Sequence, residues 1–379
     1  MEVGTLDSSR TQRTLTGSAR LLLALHLDGP LFIALCLLVS IGITVVFSAS
    51  GRSMVMLEAQ LIRFALAVVA MVMLAQIPPR LIRAATPWIY LLGLVLLLVV
   101  MLTGDIAMGA QRWLDLGFLR FQPSEIMKIA VPLACAWYLN ERVLPPSFTS
   151  VVVVGAAILV PTIIIAEQPD LGTSLLVAAA GGMVILLAGL SVKLIAGVIA
   201  LLIPTAYVAW QFLLHDYQRQ RVLTFLDPQT DPLGSGYHII QSQIAIGSGG
   251  IFGKGYLNGS QAQLEFLPER STDFIFAVIG EEWGLIGLIT VLLLYLFVIG
   301  RALYLAAESQ DTFARLAAGS LALTFAVYVF VNAGMVTGIL PVVGVPLPLV
   351  SYGGTSMVTL MAGFGILMSL CTKRKLVGR

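Results

Sequence analysis

Asp273 stands between a polar stretch, Glu269-Arg270-Ser271-Thr272, and an apolar run that begins at Phe274. A carboxylate at such a boundary has two uses. It can cap the free N–H groups of the helix that follows and face the positive end of its dipole, or it can take a proton from a bound hydroxyl as a general base. The segment alone leaves both open. Cationic side chains form a second set: Arg112 beside Trp113, then Arg120, and later Arg219, Arg221, Lys254 and Arg270. Basic and aromatic residues at a membrane surface anchor the interface, and the same donors suit an anionic pyrophosphate. Glu125 and Lys128 are a third set, three residues apart just after Pro123 with Glu N-terminal, the order a helical ion pair prefers. At membrane depth such a pair is either structural or the wall of a substrate cavity.

Other candidates read more simply. Glu281 and Glu282 follow Asp273 by about 12–13 Å on an ideal helix, too far for a paired-carboxylate site. Asp170, in Gln168-Pro169-Asp170-Leu171-Gly172-Thr173, is placed to cap the next helix. The glycine cluster from Gly247 to Gly255 has Ser248 where a phosphate-binding loop needs glycine and Gly255 where it needs Ser or Thr, so it is expected to be a tightly turning loop. His26, His215 and His238 show no metal-ligand spacing, and Cys36, Cys135 and Cys371 form neither a disulfide framework nor a cluster.

The elements that position these residues are set by solvent. The chain of 379 residues is 58% hydrophobic and 11% charged, with a mean hydropathy of +0.95, which predicts an all-α polytopic membrane protein. About ten spans fit the bilayer ruler, near 30–49, 61–77, 87–103, 123–139, 148–166, 171–190, 193–213, 274–303, 314–337 and 350–371. The first is expected to be a retained helix rather than a cleaved signal. The eighth is long, and Gly280 or Gly284 would mark a bend in it. Lys and Arg in the short loops favour both termini inside. The organisation is then a cytoplasmic tail, 1–29; helices 1–7, 30–213; a large extracytoplasmic loop, 214–272; helices 8–10, 273–371; and a cytoplasmic tail, 372–379. Aromatic and apolar residues run through the long loop, which argues for folded structure there.

Several motifs are shared with a known family. Asn332, Gly338-Ile339-Leu340-Pro341, Gly344 and Ser351-Tyr352-Gly353-Gly354-Thr355-Ser356 resemble the signature of the SEDS family (shape, elongation, division and sporulation), closest to its elongation branch. Gly109-Ala110-Gln111-Arg112-Trp113, Gln122-Pro123-Ser124-Glu125, the 168–173 motif and Phe266-Leu267-Pro268-Glu269-Arg270 through Asp273 also match. The resemblance implies a ten-helix peptidoglycan glycosyltransferase of the bacterial cytoplasmic membrane. Such an enzyme polymerises lipid II on the periplasmic side and works with a class B penicillin-binding protein, a transpeptidase. It carries a catalytic role to Asp273 and a site role to Arg112, Trp113, Glu125 and Lys128. It further implies a divalent cation, Mg or Mn, whose ligands cannot be read here, and neither an organic cofactor nor nucleic acid. A lipid II flippase and a non-catalytic scaffold would account for the same helices and intramembrane charges.

Overall fold

The computed structural model describes residues 25–107, 110–115, 120–190, 196–197, 200, 204, 207–213, 219, 223–225, 227, 235–264 and 266–371. In chain order these form α1 Gly29–Ala49, α2 Met54–Ala75, α3 Pro79–Thr103, a three-stranded antiparallel sheet (β1 Asp105–Ala107, β2 Ala110–Asp115, β3 Arg120–Phe121), α4 Pro123–Asn140, α5 Phe148–Glu167 and α6 Leu171–Leu187. A π-helical turn at Ala209–Leu213 comes next. Then follow α7 Ser235–Gly249, the short α8 Ser260–Gln263, α9 Ile275–Glu308, α10 Thr312–Thr337 and α11 Thr355–Cys371.

Six of these helices, α1, α2, α3, α5, α9 and α10, are long and apolar enough to cross a membrane, while α6 and α11 are shorter and apolar. This is a multi-pass helical membrane protein. The expected first, fourth, fifth, sixth, eighth, ninth and tenth spans fall on α1, α4, α5, α6, α9, α10 and α11. The second and third start seven and eight residues earlier than expected, at Met54 and Pro79. A count of apolar runs trims helix turns that hold Glu58, or Arg80 and Arg83, although a helix continues through them. The last starts at Thr355 rather than 350, because Val350–Gly354 is non-helical. Much of the seventh span, 193–213, and both tails lie outside the described residues.

Helix ends follow local chemistry. Asp28 caps α1, its Oδ1 accepting from Leu31 N at 3.1 Å. Ser53, Ser147 and Asp311 cap α2, α5 and α10 in the same way. In a bilayer, helices gain from close packing rather than from leaving water, so small residues mark the contacts. A Cβ on Gly365 of α11 would stand 2.3 Å from Met71 O of α2, and one on Gly42 of α1 would stand 2.7 Å from Val350 Cα. Two buried clusters result. One joins α1, α2, α9, α10 and α11 through residues such as Leu35, Met71, Tyr295, Phe325 and Met361. The other joins α3 to α6 and the start of α10 through Leu97, Met127, Leu133, Val177 and Phe313. The three cysteines are unpaired.

The stretch 235–272 is folded, as its apolar content implied. The long helix α7 packs along α9 and α10, with Ser242 Oγ donating to Val336 O at 2.8 Å and Gln243 Nε2 to Thr337 O at 3.1 Å. The following loop clamps α9 where that helix is broken. At Gly284 the backbone turns to φ 66°, ψ −163°. Lys254 N and Gly255 N donate to Glu281 O and Glu282 O at 2.9 and 3.0 Å, and Leu285 N and Ile286 N donate to Gly250 O and Ile251 O at 2.9 and 3.2 Å. The clamp supplies the hydrogen bonds that the break removes, which buried backbone requires. Its glycines allow the approach: a Cβ on Gly253 would stand 2.1 Å from Glu282 O. The Gly247–Gly255 cluster thus turns tightly, as its sequence suggested, and its turns grip a helix.

Candidate functional site

Asp273 precedes α9 by two residues, and the N-cap of that helix is Phe274, with no side-chain cap. The residue in front of it and the residue behind it are both buried or tied. Asn332 of α10 donates from Nδ2 to the backbone oxygen of Asp273 at 2.8 Å and to Val345 O at 2.7 Å. Ser351 Oγ donates to Thr272 O at 2.5 Å while accepting from Leu347 N at 2.8 Å. Tyr352 N donates to Ser271 O at 2.8 Å. His238 of α7 stacks on Phe274 with ring centroids 5.6 Å apart. Gly344, at φ 75°, lies beside the carboxylate, since a Cβ there would stand 3.5 Å from Asp273 Oδ2. The half-buried carboxylate is therefore held through its backbone, by residues of the signature.

A second cluster lies at the N-terminal ends of α4 and α6. Asp170 caps α6, accepting at Oδ1 from Thr173 N at 3.2 Å, and at Oδ2 from Gln122 Nε2 at 2.9 Å. Arg112 of β2 approaches the same carboxylate at 3.9 Å, and donates to Gln168 O at 3.4 Å and to Pro169 O. Trp113, half-buried, faces the other side of the strand from Arg112. Within α4, Lys128 Nζ donates to Glu125 Oε1 at 2.7 Å, and both residues are buried. Lys128 sits 5.3 Å from the Tyr328 ring centroid and lines a cavity of about 30 Å³ with Thr324, Tyr328 and Thr359. Glu125 Oε2 and the neighbouring Ser124 Oγ are buried without a hydrogen-bond partner. The expected ion pair is present, and it is not closed.

The two clusters meet through the 340s. A Cβ on Gly172, two residues after Asp170, would stand 2.7 Å from Val343 O, and Val343 neighbours Gly344. Between them an apolar cavity of about 160 Å³ is lined by Gly172, Leu175, Val331, Leu340, Val343 and Val345.

The remaining cations are placed elsewhere. Lys254 Nζ donates to Glu281 Oε1 at 2.7 Å and to Ser260 Oγ at 2.8 Å. Arg270 donates to Ala49 O at 2.6 Å and Ala262 O at 2.7 Å, joining the loop to the end of α1. Arg219 donates to Gln211 O at 2.9 Å. Arg221, also expected to bind substrate, lies outside the described residues. Among the described residues no three His, Cys, Asp or Glu side chains are grouped to hold a metal. Asn332, Gly344, Ser351 and Tyr352 entered the sequence reading only as signature residues. The work of Asn332, Ser351 and Tyr352, holding the backbone around Asp273, is long-range and has no local signal.

The FTSW_RODA_SPOVE family model, described as "Cell cycle protein", matches residues 28–376. The chain is 54% identical over 354 residues to the peptidoglycan glycosyltransferase MrdB of Escherichia coli strain K12, covering 93% of this chain and 96% of that one. It is 36% identical to a probable peptidoglycan glycosyltransferase FtsW of Geobacter metallireducens, covering 88% and 92%. Among solved structures, a chain described under "Structural coordination of polymerization and crosslinking by a peptidoglycan synthase complex" superposes with a TM-score of 0.81 at 33% identity, covering 92% of this chain and 98% of that one. The rod shape determining protein RodA of Thermus thermophilus gives 0.69 at 27% identity, covering 92% and 97%.

Proposed function

The chain belongs to the FtsW, RodA and SpoVE family of cell cycle proteins and is a peptidoglycan glycosyltransferase; we propose that it extends glycan strands from lipid II with Asp273 as the general base. The observation that carries this reading is the backbone fixation of Asp273 by Asn332, Ser351 and Tyr352. A carboxylate whose only task was to cap a helix would need no such frame.

Outside a cytoplasmic membrane there is no nucleotide, so the donor arrives activated as a sugar linked through pyrophosphate to a polyprenyl chain. Forming a β-1,4 link from an α-linked donor inverts the anomeric carbon, which one displacement achieves. Asp273 takes the proton of the acceptor hydroxyl as that oxygen bonds to the anomeric carbon, and the pyrophosphate leaves with the bonding electrons. The apolar cavity beside Gly344 suits hydrocarbon near this point, and Arg112 and Lys128 suit negative charge on the head group. A divalent cation fits as an ion carried mainly by the pyrophosphate, with at most one protein carboxylate, as Mg²⁺ often is; it would offset charge on the leaving group.

The topology that serves this chemistry has ten spans and both termini cytoplasmic, with Asp273 at the periplasmic face of the inner membrane and a single-pass class B penicillin-binding protein seated on the outer loop. The synthase-complex structure that the chain resembles supports such a partner. Reporter fusions at Pro145 and Ser235 are expected to report opposite sides; the same side would break the topology.

Asp273→Asn keeps shape and removes basicity. Purified variant with normal thermal stability is expected to make glycan from lipid II about 100-fold more slowly or worse. Near-normal synthesis would return Asp273 to a structural role, while lipid II translocation without polymer by the wild-type protein would favour the flippase reading.

A further inference from the structure

Arg63 lies inside α2, nine residues past Met54 and so about 14 Å down the helix. It is half-buried, and its Nη1 is buried with no hydrogen-bond partner. Among the described residues it makes no ion pair. A buried cation without an anion is expensive, and charged residues at membrane depth face the bundle interior or a cavity and find a partner there. An arginine near a helix end can instead extend to the interface, but here a terminal nitrogen remains shielded from water, so reaching outward does not satisfy it.

What holds Arg63 is the signature segment. Its guanidinium carbon sits 4.4 Å from the ring centroid of Tyr352, a stacking geometry that orients the group and leaves its N–H edge for an anion. Gly354 lies against that edge, a Cβ there standing 3.5 Å from Arg63 Nε, so larger side chains at 354 would cover it. One turn back on α2, Gln60 Nε2 donates to Ser351 O at 3.3 Å. Ser351 and Tyr352 are the residues that tie down Thr272 and Ser271, directly before Asp273. The unpaired cation and the backbone leading to the carboxylate thus rest on the same short segment, Ser351–Gly354.

We propose that Arg63 binds a phosphate oxygen of the polyprenyl pyrophosphate group of the substrate. The inference rests on the function proposed above and adds a binding residue to it. A fork of N–H donors fixed on an aromatic ring suits a phosphate better than a lone ammonium does, and the depth of Arg63 suits a group whose prenyl chain stays in the bilayer. A phosphodiester of the surrounding lipid presents the same chemistry, and the test separates the two.

Wild type, Arg63→Gln, Arg63→Lys and Asp273→Asn are purified and mixed with a polyprenyl pyrophosphate in nanodiscs of phosphatidylcholine alone or with phosphatidylglycerol, and bound lipid is counted by native mass spectrometry. Glycan synthesis from lipid II is followed in parallel. Hydrogen bonds to charged groups contribute about 1.5–3 kcal/mol, so Arg63→Gln is expected to weaken pyrophosphate binding by about 10- to 100-fold and to raise KM more than it lowers kcat. Arg63→Lys is expected to recover part of both, and Asp273→Asn to bind like wild type. If Arg63→Gln does not fold, Arg63→Lys decides alone: a several-fold loss of affinity supports the inference and wild-type affinity overturns it. Equal binding by wild type and folded Arg63→Gln overturns the role of Arg63 and leaves the proposed function standing. No pyrophosphate binding by wild type removes both. Loss of bound phosphatidylglycerol with unchanged pyrophosphate binding assigns Arg63 to the surrounding lipid and overturns the inference.

Discussion

Two buried glutamates, Glu281 and Glu125, each accept a lysine at 2.7 Å, and they are different objects. Glu281 is saturated: Oε1 accepts from Lys254, Ser260 Oγ and Gln261 N, and Oε2 from Ala262 N. Its donors come from 19 to 27 residues away, so the site ties a loop to a helix. Glu125 pairs within one helix turn, ties nothing distant together, and keeps Oε2 without a partner. A polar site that satisfies itself is architecture. One that leaves capacity unused is a candidate to receive something, since natural interiors rarely leave such groups unpaired.

That contrast can be broken by mutation. Glu281→Ala should lower stability by about 3–5 kcal/mol, because it strands a lysine and several N–H groups; the thermal midpoint of purified protein would fall, and unchanged melting would show the clamp to be dispensable. Gly253→Ala probes the same clamp through its backbone. A left-handed residue with its Cβ pressed on Glu282 O is expected to lose about 2–4 kcal/mol, again read as melting, with turnover per folded molecule retained. On the other side of the comparison, Glu125→Gln combined with Lys128→Met removes both charges together. Such replacement is often near neutral for stability, so melting should hold while glycan synthesis drops about tenfold or more; preserved synthesis would make this pair architecture too. The smallest effect belongs to the half-exposed Arg301–Asp28 pair, 2.7 Å apart. Arg301→Gln is expected to cost under about 1 kcal/mol, and a larger drop in melting would show that partly exposed pairs matter here more than buried ones.

Much of this was legible in the chain. Apolar runs located the helices, because a bilayer leaves few other solutions, and their errors fell where charged residues such as Glu58 or Arg80 continue a helix through a polar turn. Asp273 was legible from its place at a polar-to-apolar boundary, and Glu125–Lys128 from spacing. Partners were not. Lys254 and Arg270 carry the charge a pyrophosphate prefers, yet one is taken by Glu281 and the other by the carbonyls of Ala49 and Ala262, contacts that only the folded chain brings about. Arg63 was not singled out. The available signal was its position two residues inside an apolar run, where a charge with no helical partner three or four residues away asks for one elsewhere.

The break at Gly284 has a mechanical meaning. Residues 275–283, about 14 Å of helix, are joined to the rest of α9 through a joint whose hydrogen bonds come from residues 250–255. The short segment before the break is a lever with Asp273 at its tip, and the loop is the hand that holds it. A load placed on the loop would move the short segment that leads back to Asp273 before it moved the rest of α9, because the joint's hydrogen bonds come from the loop.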